Sequence, residues 1–463
     1  MRAWDASQVA AAAGARLLRG DAAGGPTRVV IDSREVGPGD LFVGLPGSRA
    51  DGGAFAAGAL AAGAWGVLVS PAWPDLEGGV VLVADDPLAA LGALARSWRR
   101  ELGADVIAVT GSVGKTSTKD LIAALVAPAR SVAASRANFN TEIGMPLEIL
   151  AAPAGTEVLV LEAAMRGFGQ IAELAAICEP DVGVITNIGP VHLEQVGTLE
   201  GVARAKGELL VGMRDGATAV VPAGEPLLDP WLRPSLSVVR FGEDVRFEGD
   251  DVVAGDDRLS LEVPFTARHQ RTNLLAAVAA ALAVGVRPAG RVEVAFGALR
   301  GERVTLAVGA TVINDCYNAS PLSVRAALDE LAAHEGATRR VAVLGDMLEL
   351  GAEEERLHRE IGAAAGLAGV DVLVTVGPRA AAMLDTFDGE SYAVADAAEA
   401  AARAGELIGP GDVVLVKGSR GVGLEVVAEA LLAADAPDDP DSSPPADPDS
   451  SPPATRRSEA RRG

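Results

Sequence analysis

One eight-residue stretch constrains this chain more than any other. Thr110-Gly111-Ser112-Val113-Gly114-Lys115-Thr116-Ser117 follows directly on the apolar run 106–109 and opens a segment carrying Leu121, Ile122, Leu125 and Val126 at helical spacing. A strand, a glycine turn and a helix in that order let backbone N–H groups close around phosphate oxygens. The helix N-terminus favours the negative charge, Lys115 can reach the β- and γ-phosphates, and the Thr116 hydroxyl can ligate Mg²⁺. Gly111, Ser112, Val113, Gly114, Lys115, Thr116 and Ser117 are therefore the candidate nucleotide-binding set. Val109 stands where the full P-loop has a further glycine, so this is the shorter G-x-x-G-K-T form. ATP is the ligand the motif implies. The loop alone fits motors, switches, kinases and ligases equally well.

The rhythm around the loop sets the architecture. Runs 106–109, 158–161 and 182–185 are continuously apolar, as strands buried on both faces of a parallel sheet are, with helical stretches between them. Short β-rich runs lie at 28–31, 41–43, 65–69 and 80–83, and a third set at 310–313, 341–344, 372–376 and 413–416. At roughly 150 residues per domain, 463 residues suit three domains. The expectation is an α/β fold of three α/β domains in series: 1–102, a central P-loop parallel-sheet ATPase domain at 103–305, and a Rossmann-like domain at 306–435. The remaining 436–463 contains a Pro/Ser/Asp octapeptide repeated at once (439–446, 447–454), which cannot bury enough surface to fold; disorder is expected there. The apolar stretch 274–286 is expected to be a buried helix.

Charge removes several partners. The formal balance is −23, of which the tail supplies only −2, and aromatics are 3%. Such a surface repels a phosphate backbone and offers few stacking platforms, so nucleic acid is not an expected partner. No run reaches the ~20 apolar residues of a membrane span, and Asp5 interrupts the position a secretory signal would need. Cys178 and Cys316 show no metal-ligand spacing and read as reduced residues of a cytoplasmic protein.

Three further side chains invite chemistry. Glu162 follows the strand 158–161, at the end where open α/β sheets hold ligands, although a solvated loop acid is the plain alternative. His192 closes Thr186-Asn187-Ile188-Gly189-Pro190-Val191 after the strand 182–185; Mg²⁺ prefers oxygen, so its chemistry alone leaves it evenly placed between a site and a structural role. Lys206 would ordinarily be a solvated helix lysine, but a partly neutral amine can take up CO₂ and become a long-armed carboxylate.

With these residues assembled, the chain resembles the Mur ligase superfamily over nearly everything except the tail. The loop, Asn138-Phe139-Asn140-Thr141-Glu142-Ile143-Gly144-Met145-Pro146, Glu162, Asn187 to His192 and Ala205-Lys206-Gly207-Glu208 fall in that superfamily's order. Asn314-Asp315-Cys316-Tyr317-Asn318-Ala319-Ser320-Pro321, Leu344-Gly345-Asp346-Met347-Leu348-Glu349-Leu350-Gly351, His358 and Val416-Lys417-Gly418-Ser419-Arg420 look like the MurF type, ligases that add D-alanyl-D-alanine to UDP-N-acetylmuramoyl-tripeptide. Ile31-Asp32-Ser33-Arg34, Pro38 to Val43 and Asp51-Gly52 match the uridine-binding domain of MurE- and MurF-type enzymes.

The resemblance implies specific roles. Lys115 would hold phosphates; Thr116 and Glu162 one Mg²⁺; His192 and a carbamylated Lys206 would help position a second. Asn138 would meet the transferring phosphate or the acceptor carboxylate, Asn273 the adenine, Asp315 the ribose, and Arg303 the phosphates from the domain junction. Ser33 and Arg34 would lie at the uridine end, and Asn318 with the substrate. The activity it implies lies in peptidoglycan synthesis. Activating a carboxylate for an amine requires an acyl phosphate; because acyl phosphates hydrolyse, the site is expected to close before chemistry, with hinges near 303–310 and 100–105. Nothing in the sequence demands more than a monomer. Gln270, Ser320 and Gly53 depart from the usual pattern, where relatives show Asn, Asn and His. The rivals are a sibling ligase of MurE or folylpolyglutamate type, a P-loop switch that makes no bond, and an ordinary kinase.

Overall fold

The structure is a computed structural model and describes residues 3–435, apart from 22–23, 137–138, 295–296 and 298. The repeat tail lies outside the described residues. Among those described, no helix is long and apolar enough to cross a membrane.

The N-terminal unit runs α1 (Ala6–Ala13), β1 (Arg16–Arg19), β2 (Arg28–Val30), β3 (Asp40–Val43), α2 (Ala56–Ala61), β4 (Gly66–Val69), β5 (Val80–Val83) and α3 (Pro87–Leu102). Its sheet has the order β1-β5-β4-β3-β2 and is parallel except at β1. The Val- and Leu-rich β4 and β5 are buried along their whole length, as central parallel strands must be. Helix α3 starts on Asp86, whose side chain accepts from the N–H of Leu88 and Ala89, with Pro87 in its first turn, and stops at left-handed Gly103.

This helix is stitched to the next unit. Arg99 pairs with Asp181 at 2.9 Å and donates to the carbonyls of Cys178 and Glu179. Arg100 pairs with Glu179, and Trp98 Nε1 donates to the Ala152 carbonyl at 3.3 Å. The residues leading into 100–105, where a hinge is expected, are held to the central unit by several charged hydrogen bonds at once.

The central unit comprises β6 (Asp105–Thr110), α4 (Lys115–Val126), β7 (Val132–Ala134), α5 (Gly144–Ala151), β8 (Val158–Glu162), α6 (Gln170–Cys178), β9 (Val182–Ile185), α7 (Leu193–Val196), α8 (Leu199–Gly212), β10 (Thr218–Pro222), β11 (Ser237–Phe241), β12 (Val245–Glu248), β13 (Asp251–Ala254), β14 (Asp257–Leu259), β15 (Leu261–Glu262), α9 (Arg268–Ala283) and β16 (Gly290–Arg291). Strand order is β14-β13-β12-β11-β10-β9-β6-β8-β7, with antiparallel pairing only at the β12-β13-β14 end. β6 lies between β8 and β9, so the turn after it, Glu162 at the end of β8 and Thr186 after β9 share one sheet rim. Helix α9 buries every residue from Asn273 to Ala281, and it ends at Ala283, three residues short of the expected 286.

The third unit runs β17 (Glu302–Thr305), β18 (Thr311–Asn314), α10 (Pro321–Ala332), β19 (Arg340–Gly345), α11 (Glu354–Leu367), β20 (Val372–Val376), β21 (Glu390–Val394), α12 (Ala397–Leu407), β22 (Val413–Lys417) and α13 (Glu425–Asp435). Its sheet order is β17-β18-β22-β19-β20-β21. β17 pairs antiparallel with β18 from Glu302 opposite Asn314 to Thr305 opposite Thr311. A boundary between 305 and 306, or a hinge over 303–310, would cut this hairpin, so the passage into the third unit lies ahead of Glu302. Glu302-Arg303-Val304-Thr305 is an edge strand, mostly exposed, and so carries none of the apolar run that betrays a central strand.

Candidate functional site

One cleft of about 1680 Å³ is lined by the rim of the central sheet and the rim of the third. Ser112 to Ser117 form part of its wall. Gly111 has φ +149, and a Cβ there would fall 1.9 Å from Thr186 Oγ1; Gly114 has φ +83, and a Cβ would fall 2.7 Å from Asn273 Oδ1. Both positions therefore require glycine. The turn is braced from the segment after β9. Thr186 Oγ1 and Asn187 Nδ2 donate to the Val113 carbonyl at 2.6 and 2.9 Å, Asn187 Oδ1 accepts from Val113 N–H at 2.9 Å, and Ser112 Oγ accepts from Gly189 N–H at 2.8 Å. The residues Thr186 and Asn187 had no role in the sequence reading; their position immediately after a strand beside the loop was the available signal.

Lys115 Nζ donates to its own loop at the Gly111 carbonyl, 3.0 Å away. Burial pushes its pKa below the ordinary lysine value, with Glu162 pulling it up and Arg300 pushing it down. Thr116 Oγ1 donates to Glu162 Oε2 at 2.7 Å, and Asn140 Nδ2 donates to Glu162 Oε1 at 2.9 Å. The hydroxyl and carboxylate expected to share a cation thus meet, although Glu162 is only 3% exposed. Asn140 is an addition, two residues beyond Asn138, which itself lies outside the described residues. Among the described residues, no three His, Cys, Asp or Glu side chains converge as a metal cage. A single carboxylate with a hydroxyl beside a phosphate loop suits Mg²⁺, which keeps water and phosphate ligands, better than it suits a protein-caged transition metal.

His192 and Glu349 both line the cleft, and the imidazole Nδ1 bonds the Glu349 carboxylate across the two units. Burial lowers the His192 pKa, Glu349 opposes this, and Lys206 and Lys115 reinforce it. Lys206, on α8, is 2% exposed and is held well below the ordinary lysine value by burial and then by Lys115. Among the described residues, no acid pairs with it. The next motif residue, Glu208, accepts from Gly169 N–H at 2.8 Å and Ala172 N–H at 3.2 Å, satisfying the start of α6.

On the third rim, Lys417 Nζ contacts Asp315 Oδ2 at 2.6 Å and the Asn318 carbonyl at 2.8 Å, so one buried ammonium fixes both expected ligand contacts. Arg303 lines the cleft, but its guanidinium is held by Glu330 of α10, and His269 stands 4.0 Å from the same carboxylate. Asn273 packs against Gly114 at the loop. Ser33 and Arg34 lie apart from the cleft; Arg34 Nε donates to Asp32 at 2.9 Å, which holds that carboxyl down at about 2.

The three departures have local accounts. Ser320 accepts from Ser323 N–H and caps α10 ahead of Pro321, the service an asparagine also performs. At Gly53 a Cβ would fall 2.2 Å from the Trp73 ring, whose Nε1 donates to Asp51 at 3.1 Å, so the indole fills the space of a larger side chain. Gln270 lines the cleft.

Residues 27–99 match the Mur ligase family catalytic domain, 109–281 the Mur ligase middle domain, and 299–420 the Mur ligase glutamate ligase domain. The UDP-N-acetylmuramoyl-tripeptide–D-alanyl-D-alanine ligase of Mycobacterium tuberculosis is 38% identical, covering 88% of this chain and 92% of the relative; that of Bacillus subtilis is 34% identical, covering 87% and 93%. The crystal structure of MurF from Acinetobacter baumannii superposes with a TM-score of 0.85 at 28% identity, covering 93% of this chain and 99% of that one. MurF ligase from Thermotoga maritima, solved in complex with ADP, gives 0.78 at 29%, covering 88% and 97%. With a phosphate loop, a Thr116–Glu162 pair and a third rim on one cleft, and with such relatives along nearly its whole length, the chain belongs to the Mur ligase family, and within it to the MurF type.

Proposed function

We propose that this chain joins D-alanyl-D-alanine to UDP-N-acetylmuramoyl-tripeptide with cleavage of ATP to ADP and phosphate, giving the pentapeptide precursor of peptidoglycan in the cytoplasm, as a monomer. One observation carries the reading: the ATP-type rim and the Asp315–Lys417 rim open onto the same cleft, where a two-acceptor reaction needs them. Residues 1–102, with Ser33 and Arg34, bind the UDP end; the central unit binds ATP through residues 111–117 and Asn273, with Asp315 reaching the nucleotide from the third unit; the third unit, with Asn318, brings the dipeptide.

A carboxylate resists amines because its carbon is a poor electrophile and its leaving group would be oxide. When the tripeptide's terminal carboxylate attacks the γ-phosphorus, the bond to ADP breaks and an acyl phosphate forms. The dipeptide's neutral amine then attacks the acyl carbon, the carbon–oxygen pair leaves with phosphate, and the amine proton passes to solvent. Lys115 and Arg303 screen the approach of the two anions, Arg303 by exchanging Glu330 for phosphate, and Asn138 orients the group in flight. Thr116 and Glu162 would hold one Mg²⁺, and His192 and Lys206 would help hold a second; bound there, the ions would neutralise phosphate charge. Buried beside Lys115 with no acid partner among the described residues, the Lys206 amine is available to add CO₂, and the carbamate would replace repulsion of Lys115 by attraction.

The test is phosphate release over a matrix of substrates, with product identified by mass. Release should require both the UDP-sugar tripeptide and D-alanyl-D-alanine. Release that ignores them is the behaviour of a nucleotide switch. Release with a single amino acid in place of the dipeptide is that of a sibling ligase.

A further inference from the structure

Glu349 has no assigned part in the reaction, yet it is the third unit's contact with the histidine of the central site. From the geometry we infer that Glu349 is a positioning residue: docking of the third unit brings its carboxylate to His192 Nδ1, which fixes the ring proton there and leaves Nε2 as the ring's acceptor. The inference rests on the ligase reading above.

The contact is built from both sides. His192 and Glu349 are 157 residues apart, and each adopts a left-handed backbone, φ +54 and +64, that non-glycine residues seldom take. Two such residues at one contact mean that the surroundings impose the conformation. On the Glu349 side, the loop after β19 is pinned at several points. Met347 N–H donates to His358 Nε2 at 2.9 Å, Leu348 N–H to Ser419 Oγ at 3.0 Å, and Ser419 N–H to the Asp346 carbonyl at 3.1 Å. The Asp346 carboxylate accepts from Arg379 and Ala380 N–H at 3.0 and 2.7 Å. His358 is itself fully buried and turned by the Glu354 carbonyl at its Nδ1.

The backbones dock as well. Glu194 N–H donates to the Glu349 carbonyl at 3.3 Å, and Gly351, at φ +60, lies so close that a Cβ would stand 3.3 Å from Glu194 Cα and N. Main chain therefore seats on main chain next to the side-chain pair. A carboxylate on a histidine's distal nitrogen sets its tautomer and orientation. Here that carboxylate belongs to the unit that brings the amine, so the ring is set for phosphoryl transfer only when that unit is seated against the central one.

The experiment uses the full chain labelled with ¹⁵N-histidine, which gives four rings to resolve, with ADP, magnesium and both acceptor substrates added. In the wild type one ring, missing in His192→Asn, should show the Nδ1–H tautomer. In Glu349→Ala it should pass to the Nε2–H form, and in Gly351→Val likewise, although there the carboxylate is retained. The kcat for amide formation should fall about 10–100-fold in both, as for loss of a ligand-orienting partner, with KM for ATP within about twofold in both and Tm within about 2 °C in Glu349→Ala, while Gly351→Val also loses some Tm to backbone strain. Glu349→Gln, which keeps an acceptor, should recover the tautomer and part of kcat. An unchanged tautomer with unchanged kcat overturns the inference. So does a joint loss of kcat, KM and Tm with the ring unaffected, or a Gln variant as impaired as Ala on both readouts. Wild type that forms no amide while the tautomer follows Glu349 sinks the ligase reading alone.

Discussion

Replacing Lys206 by methionine should make the protein more stable at neutral pH. The amine is 2% exposed, has no acidic partner among the described residues and faces the repulsion of Lys115, so folding strips water from it without compensation. Burial, and then the neighbouring Lys115 charge, hold its pKa well below the ordinary lysine value. The sign follows: above the unfolded pKa both states are neutral and there is no penalty; as pH falls, the unfolded chain binds a proton that the folded site resists, and the penalty grows until the folded pKa is reached. At pH 7.5 its ceiling is about 4 kcal/mol, reached if the folded amine carries no proton there, at about 1.36 kcal/mol per pH unit. Methionine is of similar length and carries no charge. In CO₂-depleted buffer at pH 7.5, Lys206→Met should raise Tm by about 2–4 °C for each kcal/mol recovered, for a unit of roughly 200 residues. The advantage should shrink towards pH 10. Bicarbonate should raise the wild-type Tm and leave the variant's unchanged, while the variant loses nearly all amide formation and a short carboxylic acid restores some to Lys206→Ala. Calorimetry reads each of the stability effects. A methionine variant less stable than wild type at pH 7.5, or equal gains from bicarbonate in both proteins, would refute the reasoning.

Gly111→Ala places a Cβ 1.9 Å from Thr186 Oγ1 at a φ of +149, strain of about 2–3 kcal/mol, and should weaken ADP binding by tens- to a hundredfold in calorimetric titration; a Kd within threefold of wild type would show that the turn yields. Thr116→Val removes the 2.7 Å donor to Glu162 and should cost about 1.5–3 kcal/mol and raise the Mg²⁺ needed for half-maximal rate, whereas Thr116→Ser should stay near wild type. Arg99→Ala cuts α3 from the 178–181 turn but leaves Asp181 its bonds from Arg214 and Val106 N–H, so urea unfolding should show a loss of about 1.5–3 kcal/mol with KM for ATP unchanged.

What could be read along the chain was what depends on neighbours in sequence. The strand–turn–helix at 106–126 declares itself because the apolar run, the glycines and the helical spacing are contiguous. The buried parallel strands do so because each is apolar on both faces. The β17 hairpin and the β12-β13-β14 meander did not, since edge strands expose one side and break the apolar signal. Helix α9 shows the limit of periodicity from the other side: buried all round over Asn273 to Ala281, it has no polar face, and only its length marks it as a helix.

The site was legible as residue types and illegible as pairs. Thr116 and Glu162 were set together by the resemblance, and the sheet accounts for their meeting: β6 and β8 are neighbours, so the helix start after one and the last residue of the other share a rim. Lys417 with Asp315, and Glu349 with His192, lie 102 and 157 residues apart. Lys417 meets Asp315 because β22 and β18, distant in sequence, are neighbours in the third sheet, and Glu349 meets His192 where the rim of that sheet seats against the central one; no local pattern encodes either. The departures make the converse point. Ser320 for Asn looks like a lost ligand until its hydroxyl is found capping α10, and Gly53 looks like a lost side chain until Trp73 is found in its place. A substitution at a motif position is a loss only if the replaced atom had no other supplier nearby. That question is spatial, and it is why Arg303, expected at the phosphates yet bound to Glu330, has to exchange partners before it can serve them.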